Sequence, residues 1–177
     1  MALPDYVRVT QGTAIVWGEA GASGVTATLS LDALANGAAR MGASVDLGAS
    51  FARRYAVYLH VETGTAPTAG TTVDAYLVCS RNNTDWPAKV TGSDGSYTLG
   101  TSDANLKQAG PPVISLIATN DSNTVLIQPP VIWEPQGRYV APIIDNNLGQ
   151  GFRDETTATD NGSRLILVPL PDVNEDT

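Results

Sequence analysis

Apolar and polar residues alternate along much of the chain, and the alternation is clearest in residues 54–80. Within 54–62 every second side chain is apolar and would share one face of a strand: Tyr55, Val57, Leu59 and Val61. Residues 72–80 follow the same period of two, which is typical of a half-buried β-strand. Pro67 and two glycines stand between the runs and favour a break in the strand. We therefore predict two antiparallel strands, direct neighbours in one sheet, joined by a longer loop.

Other segments also have the length and composition of strands. They are residues 5–11, 13–17, 25–31, 113–119, 124–127, 138–144 and 163–170. Turn-forming Asn, Asp, Ser and Gly residues separate them, and residues 113–130 predict a tight hairpin around the turn at 120–123. Residues 31–40 are a weak helix candidate, because Asn36-Gly37 interrupts the pattern.

Short strands at this spacing predict an all-β fold, an antiparallel β-sandwich in which a jelly-roll-like topology is one candidate. We expect a single domain over residues 1–172, with a candidate N-terminal arm at 1–12 and an acidic tail at 173–177. A chain of 177 residues is long enough to bury a hydrophobic core of its own.

Charge is sparse and its balance is acidic. Charged residues make up 16% of the chain, against about a quarter in ordinary domains, and the formal net charge is -8. Nucleic acids and anionic membrane surfaces attract clustered Lys and Arg, so we expect neither as a partner. The N-terminal residues show no basic region followed by an apolar run, which predicts synthesis in the cytoplasm without a secretory signal. A surface with few charges favours packing against other proteins.

Residues suited to catalysis or metal binding are few. His60 is the only histidine, which excludes a histidine cluster for zinc, and Cys79 lies in an apolar run that predicts a buried, inert thiol. No G-x-S-x-G motif is present, and most acidic residues fall in turns. Residues 145–162 are rich in oxygen ligands for Ca²⁺, but they do not follow the EF-hand spacing, and an ordinary loop is the preferred interpretation. We predict no enzymatic activity and no cofactor.

Three tryptophans, Trp17, Trp86 and Trp133, are the candidate ligand or interface contacts. Exposed indole rings stack on sugars, whereas half-buried ones are more often core residues or anchors of protein interfaces. Trp86, in the stretch "NNTDWP", is the first place to look for a sugar platform.

Several motifs follow one another in an order that resembles a known group of proteins. They are "HVETGTAPTAGTTVDAYLVCSRNNTDWP", "TGSDGSYTLGT", "LIATNDSNTVLIQPP", "RYVAPIIDNNLGQGF" and "GSRLILVPLPD". This run, over residues 54–172, resembles a group of small virion proteins of tailed bacteriophages that share a "TGTAPTAGxTVDxYL" hairpin and a "TGSDGxY" turn. The shared motifs are strand and turn residues rather than a chemical signature.

The resemblance implies a structural protein of the virion, made in the cytoplasm of the host bacterium. The leading hypothesis is a capsid decoration (cement) protein, a homotrimer at threefold or quasi-threefold positions with the major capsid protein as its partner. One alternative is a tail, neck or head-fibre component. Another, of a different class, is a carbohydrate-binding module for adsorption to the host.

Overall fold

The computed structural model describes residues 12–98, 109–119, 122–154 and 162–171. These residues form two six-stranded, predominantly antiparallel β-sheets that pack face to face. The prediction of an all-β antiparallel sandwich is therefore confirmed. The predicted strand at 5–11, residues 1–11 of the candidate arm, and the tail at 173–177 lie outside the described residues.

Sheet A has a five-strand path with a sixth strand at one edge. Its path runs through β10 (Val131–Trp133), β5 (Tyr55–Glu62), β12 (Arg164–Pro169), β1 (Ile15–Gly18) and β2 (Ala27–Thr28), and β9 (Val125–Ile127) also pairs with β5. The β1–β2 pair is parallel, and the other pairs of this sheet are antiparallel.

Sheet B is antiparallel and is built around two nine-residue strands. Its path runs through β7 (Gly95–Tyr97), β3 (Ala39–Met41), β11 (Tyr139–Asn147), β6 (Thr72–Ser80) and β8 (Ile114–Ile117), and β4 (Val45–Asp46) also pairs with β11. The short strands β3, β4, β7 and β10 carry too few residues to show an alternation, and the sequence pattern missed them.

The core lies between the sheets and contains the face of β5 that the alternation predicted. Tyr55, Val57, Leu59 and Val61 are all buried. Trp17 is fully buried in the same cluster, and its indole Nε1 donates a hydrogen bond to the carbonyl oxygen of Ala43 at 2.7 Å. This bond satisfies the polar end of a side chain that otherwise buries a large apolar area.

A second apolar cluster lies on the outer face of sheet B. Its buried members are Ala39, Tyr76, Val78, Ala88, Val90, Tyr97, Ala141 and Ile143. A segment that includes the short 3-10 helix Pro87–Lys89 covers them, and the hydroxyl of Tyr97 donates to the carbonyl of Ala88 at 2.6 Å. Sheet B is thus buried on both faces over part of its area, which explains the uninterrupted apolar run in β6.

The prediction that β5 and β6 are neighbours is wrong, because they belong to different sheets. The predicted hairpin at 113–130 is wrong for the same reason, since β8 lies in sheet B and β9 in sheet A. Residues 114–118 instead pair antiparallel with residues 71–75 in sheet B, and residues 124–133 with residues 55–63 in sheet A, so the two paired segments cross the corner of the sandwich together. Hydrogen bonds continue through the corner, from Thr63 N–H to the Thr124 carbonyl at 2.8 Å and from Ala118 N–H to the Thr71 carbonyl at 2.9 Å.

Residues 31–40 form no helix. Leu31 is fully buried in the main core, Gly37 has a φ of 74°, and the chain enters β3 at Ala39. The apolar residues of this stretch therefore reach the core from successive turns rather than from one helical stripe. The predicted strand at 25–31 is also shorter than expected, because only β2 within it is paired.

Candidate interaction surface

The strands β8, β9 and β10 form one edge of the sandwich, called here the edge ribbon (residues 114–117, 125–127 and 131–133 of the stretch 114–133). Within the described residues, β8 pairs only with β6, and β9 and β10 pair only with β5. Of the five large hydrophobic residues that are exposed in the described part of the chain, four lie on it: Ile117 (54% exposed), Val125 (46%), Ile127 (68%) and Ile132 (55%). The fifth, Tyr58, is on β5, the strand next to the ribbon. Sheet edges normally carry charges that prevent pairing with other chains, but Asp121 is the only charged residue in this stretch.

Pro129 and Pro130 shape the ribbon between β9 and β10. Ile127 pairs with His60 and Val131 with Val57, so four steps along the ribbon match three along β5. The extra residue forms a bulge, and proline is tolerated there because it has no N–H to donate to the ladder. The two prolines thus divide the edge into two short exposed strands.

An apolar groove opens at the β10 end of the ribbon, called here the edge groove. Leu77 and Cys79 contribute from β6, residues 111–113 form one wall, and β10 forms the other. Glu134 and Gln136 also line the groove, and its volume is about 480 Å³. A groove of this size and lining suits an apolar segment held by a few polar groups.

Trp133 is the sequence-predicted contact that the structure places in the edge groove. Its ring centroid lies 6.2 Å from that of Tyr55, with the ring planes at 53°, so the indole is supported from the core side. The residue is half-buried and lies on an edge strand, the position expected of an interface anchor.

Trp86 and Trp17 lie elsewhere. Trp86 is half-buried against the second apolar cluster, and its Nε1 donates to the Asn83 carbonyl at 3.2 Å. Its neighbour Pro87 lines the edge groove. Trp17 has no exposed surface, so its assignment as a candidate contact is corrected to a core residue.

The exposed residues of the edge ribbon were missed by the sequence analysis, although the scarcity of charge in residues 113–133 was a sequence signal that could have revealed them.

Cys79 is a free thiol that lines the edge groove and is only partly buried. Burial raises the pKa of this thiol, and the backbone N–H groups of Gln136 and Gly137 lower it by less. The thiol is therefore protonated and weakly nucleophilic at neutral pH. The prediction that Cys79 is inert agrees with this environment. The prediction that Cys79 is buried is met only in part.

His60 sits on the outer face of sheet A in a small polar cluster. Its Nε2 lies 3.8 Å from Glu62 Oε1, and Arg153 Nη1 lies 3.3 Å from Glu62 Oε2. Burial lowers the pKa of His60, Glu62 raises it and Arg164 lowers it, with a net decrease. The imidazole is therefore neutral at pH 7, beside the exposed Ile127 that pairs with it in register.

The sequence offered Ca²⁺ binding by residues 145–162 as an alternative, with an ordinary loop as the preferred interpretation. Asp145 lies in β11 rather than in a loop, and residues 155–161 are not described, so neither interpretation of the whole segment is tested. Among the described residues, no group of three or more His, Cys, Asp or Glu side chains could hold a metal ion.

Comparisons with protein-family models, with curated proteins and with solved structures gave no match to this chain. In the part of the chain that the structure describes, no helix is long and apolar enough to cross a membrane.

Proposed function

We propose that this protein is a structural component of a bacteriophage virion, a capsid decoration protein that stabilises the shell through protein–protein contacts. The observation that carries the proposal is the edge ribbon, an unprotected pair of sheet edges with Ile and Val side chains facing solvent. Exposed apolar residues grouped in this way mark surfaces that a partner covers. The resemblance of residues 54–172 to virion proteins supplies the class of partner, the major capsid protein.

The ribbon suits a contact that is modest in one copy and strong when repeated. Covering a side chain such as Ile127 contributes about 1.5–3 kcal/mol at most, so four such residues give a limited gross stabilisation before the costs of association. On a capsid the same contact recurs at every equivalent position, and a homotrimer at a threefold axis engages three at once. Linked contacts of this kind raise the overall affinity without any new interaction.

The first experiment is to count the copies of this chain in purified virions by quantitative mass spectrometry, relative to the major capsid protein. The proposal predicts one copy for every one to few capsid subunits. A handful of copies per particle would instead place the protein in the tail, neck or a head fibre. If no copies of this chain are detected in purified wild-type virions, the structural role is overturned.

A phage that lacks the gene provides a second test. Without a decoration protein, particles should lose their genome at lower temperature and after milder osmotic shock than the parent phage. Unchanged resistance of the particles to both treatments would contradict a stabilising role.

Carbohydrate binding is a second candidate function, because Trp133 lines the edge groove together with Glu134 and Gln136. An aromatic ring flanked by polar side chains is a common arrangement for recognising sugars. A glycan array with the intact protein and with Trp133→Ala and Trp86→Ala variants tests it. Binding that only Trp133→Ala removes would favour this candidate, and the absence of any bound glycan would exclude it.

A further inference from the structure

We propose that the edge groove binds residues 5–11 of a second copy of this chain, which add a strand beside β10. The inference deepens the proposed function by naming the partner of one end of the edge ribbon. Under this inference, the groove makes contacts between copies of this chain within the oligomer. Ile117, Val125 and Ile127, which lie nearer the corner, then remain exposed for contact with the capsid shell.

The groove and its edge strand have the features of a site for strand addition. Within the described residues, β10 pairs on one side only, with β5, and the groove next to it is lined by Leu77, Val113 and Val131. In strand addition, main-chain hydrogen bonds to a free edge provide affinity, and pockets for alternate side chains provide specificity. The occupant that fits is an extended segment with apolar residues at every second position.

Residues 5–11, "DYVRVTQ", have this composition. Val7 and Val9 would share one face of a strand, and Tyr6, Arg8 and Thr10 the other. β-Branched and aromatic residues favour the extended conformation.

The topology of sheet A argues that the occupant comes from another copy. A strand added outside β10 lies four strand positions from β1, because β10, β5 and β12 stand between them. That separation is about 19 Å at about 4.8 Å per strand, which takes about six extended residues to cross. The crossing would consume residues 6–11, which directly precede Gly12, so these residues could not also lie beside β10 of their own copy. The predicted strand at 5–11 therefore reaches the groove of a neighbour and not its own.

Cys79 makes the proposal testable, because the only cysteine of the chain lines the groove. In the full-length protein, Val7→Cys and Val9→Cys each introduce one further thiol on the face assigned to the groove. Under mild oxidation with oxidised glutathione, at least one of them should form a disulfide with Cys79 of another copy. Non-reducing electrophoresis then shows covalent dimers if two copies exchange segments, or covalent trimers if three copies exchange them around a ring.

Thr10→Cys is the matched control, since it adds a thiol to the opposite face of the same segment. A docked segment gives an effective thiol concentration of the order of mM, so cross-linking of the groove-facing variant should be about a thousandfold faster than that of the control at µM protein. Adding Cys79→Ser to the fast variant should abolish the product. Circular dichroism of each variant before oxidation shows whether its sandwich is folded.

Each other outcome contradicts the inference. A disulfide within one chain would mean that the segment binds its own groove. No cross-link from either valine position in folded protein, or equal rates for all three positions, would mean that residues 5–11 do not occupy the groove. These results need only purified protein, so they leave the virion role to be decided separately by copy number.

Discussion

Asp145 lies directly opposite Asp74 across the β11–β6 pair, and its Oδ1 atom has no hydrogen-bond partner among the described residues, although only 7% of the residue is exposed. Its other oxygen, Oδ2, accepts a hydrogen bond from the Asn147 amide at 2.9 Å, and Asp74 accepts one from the Ser115 hydroxyl. Burial raises the pKa of Asp145, and the negative charge of Asp74 raises it further. Two carboxylates in facing positions of neighbouring strands destabilise the sheet when both are ionised.

We therefore predict that Asp145→Asn stabilises the fold at neutral pH, by about 1 kcal/mol. The amide removes one of two facing charges and keeps an oxygen for Asn147. Because the pKa of Asp145 is raised in the folded state, the wild-type protein loses stability as the pH rises from about 3.9, the pKa of an unfolded Asp, through the folded value. The gain from the variant should be largest at neutral pH and should vanish in acid. Urea unfolding of both proteins over this pH range measures it.

Asp94 should behave in the opposite way, because it is a paired carboxylate. Burial raises its pKa, but hydrogen bonds from Arg40 Nε at 3.0 Å and from the backbone N–H of Ser30 at 3.0 Å outweigh that effect, and the pKa is lowered overall. Its contribution to stability is present above the unfolded pKa and is lost as the pH falls through the lowered folded pKa. Asp94→Asn should therefore cost about 1 kcal/mol at neutral pH. A stabilising effect of this variant in the same urea titration would contradict the assignment.

The sequence predicted the secondary structure better than the topology. Alternation identified β5 and β6 and the buried face of β5, because a side chain's face depends only on its own strand. Pairing depends on distant residues, and here β5 pairs with β9, β10 and β12 rather than with β6. The connection between β5 and β6 looked like a hairpin loop, but it crosses from one sheet to the other. A local pattern does not distinguish these two paths.

The candidate site was predicted only in part, for a similar reason. Tryptophan is enriched in cores and at interfaces alike, so its presence did not separate Trp17, which is fully buried, from Trp133, which lines the groove. The exposure of Ile127 and Ile132 follows from their position on an edge strand, which the pairing decides. The alternation of a segment shows that it has two faces, but not which face another layer covers.

Gly137 should tolerate no side chain, because it packs against the backbone of β6. A Cβ atom there would lie 2.8 Å from the Ser80 carbonyl oxygen and 3.2 Å from the Cys79 Cβ. Since the main chain of a central strand cannot move aside, Gly137→Ala should lower the free energy of unfolding by about 1–3 kcal/mol. Gly64→Ala is the control, because the nearest atom of the described residues to a Cβ at Gly64 would be the Arg153 Cα, at 4.0 Å. Equal midpoints of urea unfolding for the two variants would contradict the close approach.

The edge ribbon makes a prediction that separates binding from folding. Ile127 is 68% exposed, so Ile127→Lys removes little buried surface and should change the free energy of unfolding by less than about 0.5 kcal/mol. If the ribbon contacts the capsid, the buried lysine charge at that contact should strongly reduce the number of copies per virion in a phage that carries the variant.

Ala35→Lys is the matched control for this experiment, since it places the same charge at an exposed apolar residue away from the ribbon. Both variants should fold and accumulate equally in infected cells, and only Ile127→Lys should be depleted from purified particles. Equal incorporation of the two would show that the shell contacts another surface, and the exposed isoleucines would then need a different partner. If both variants were depleted from particles, incorporation would depend on low charge over the whole surface and not on the edge ribbon in particular.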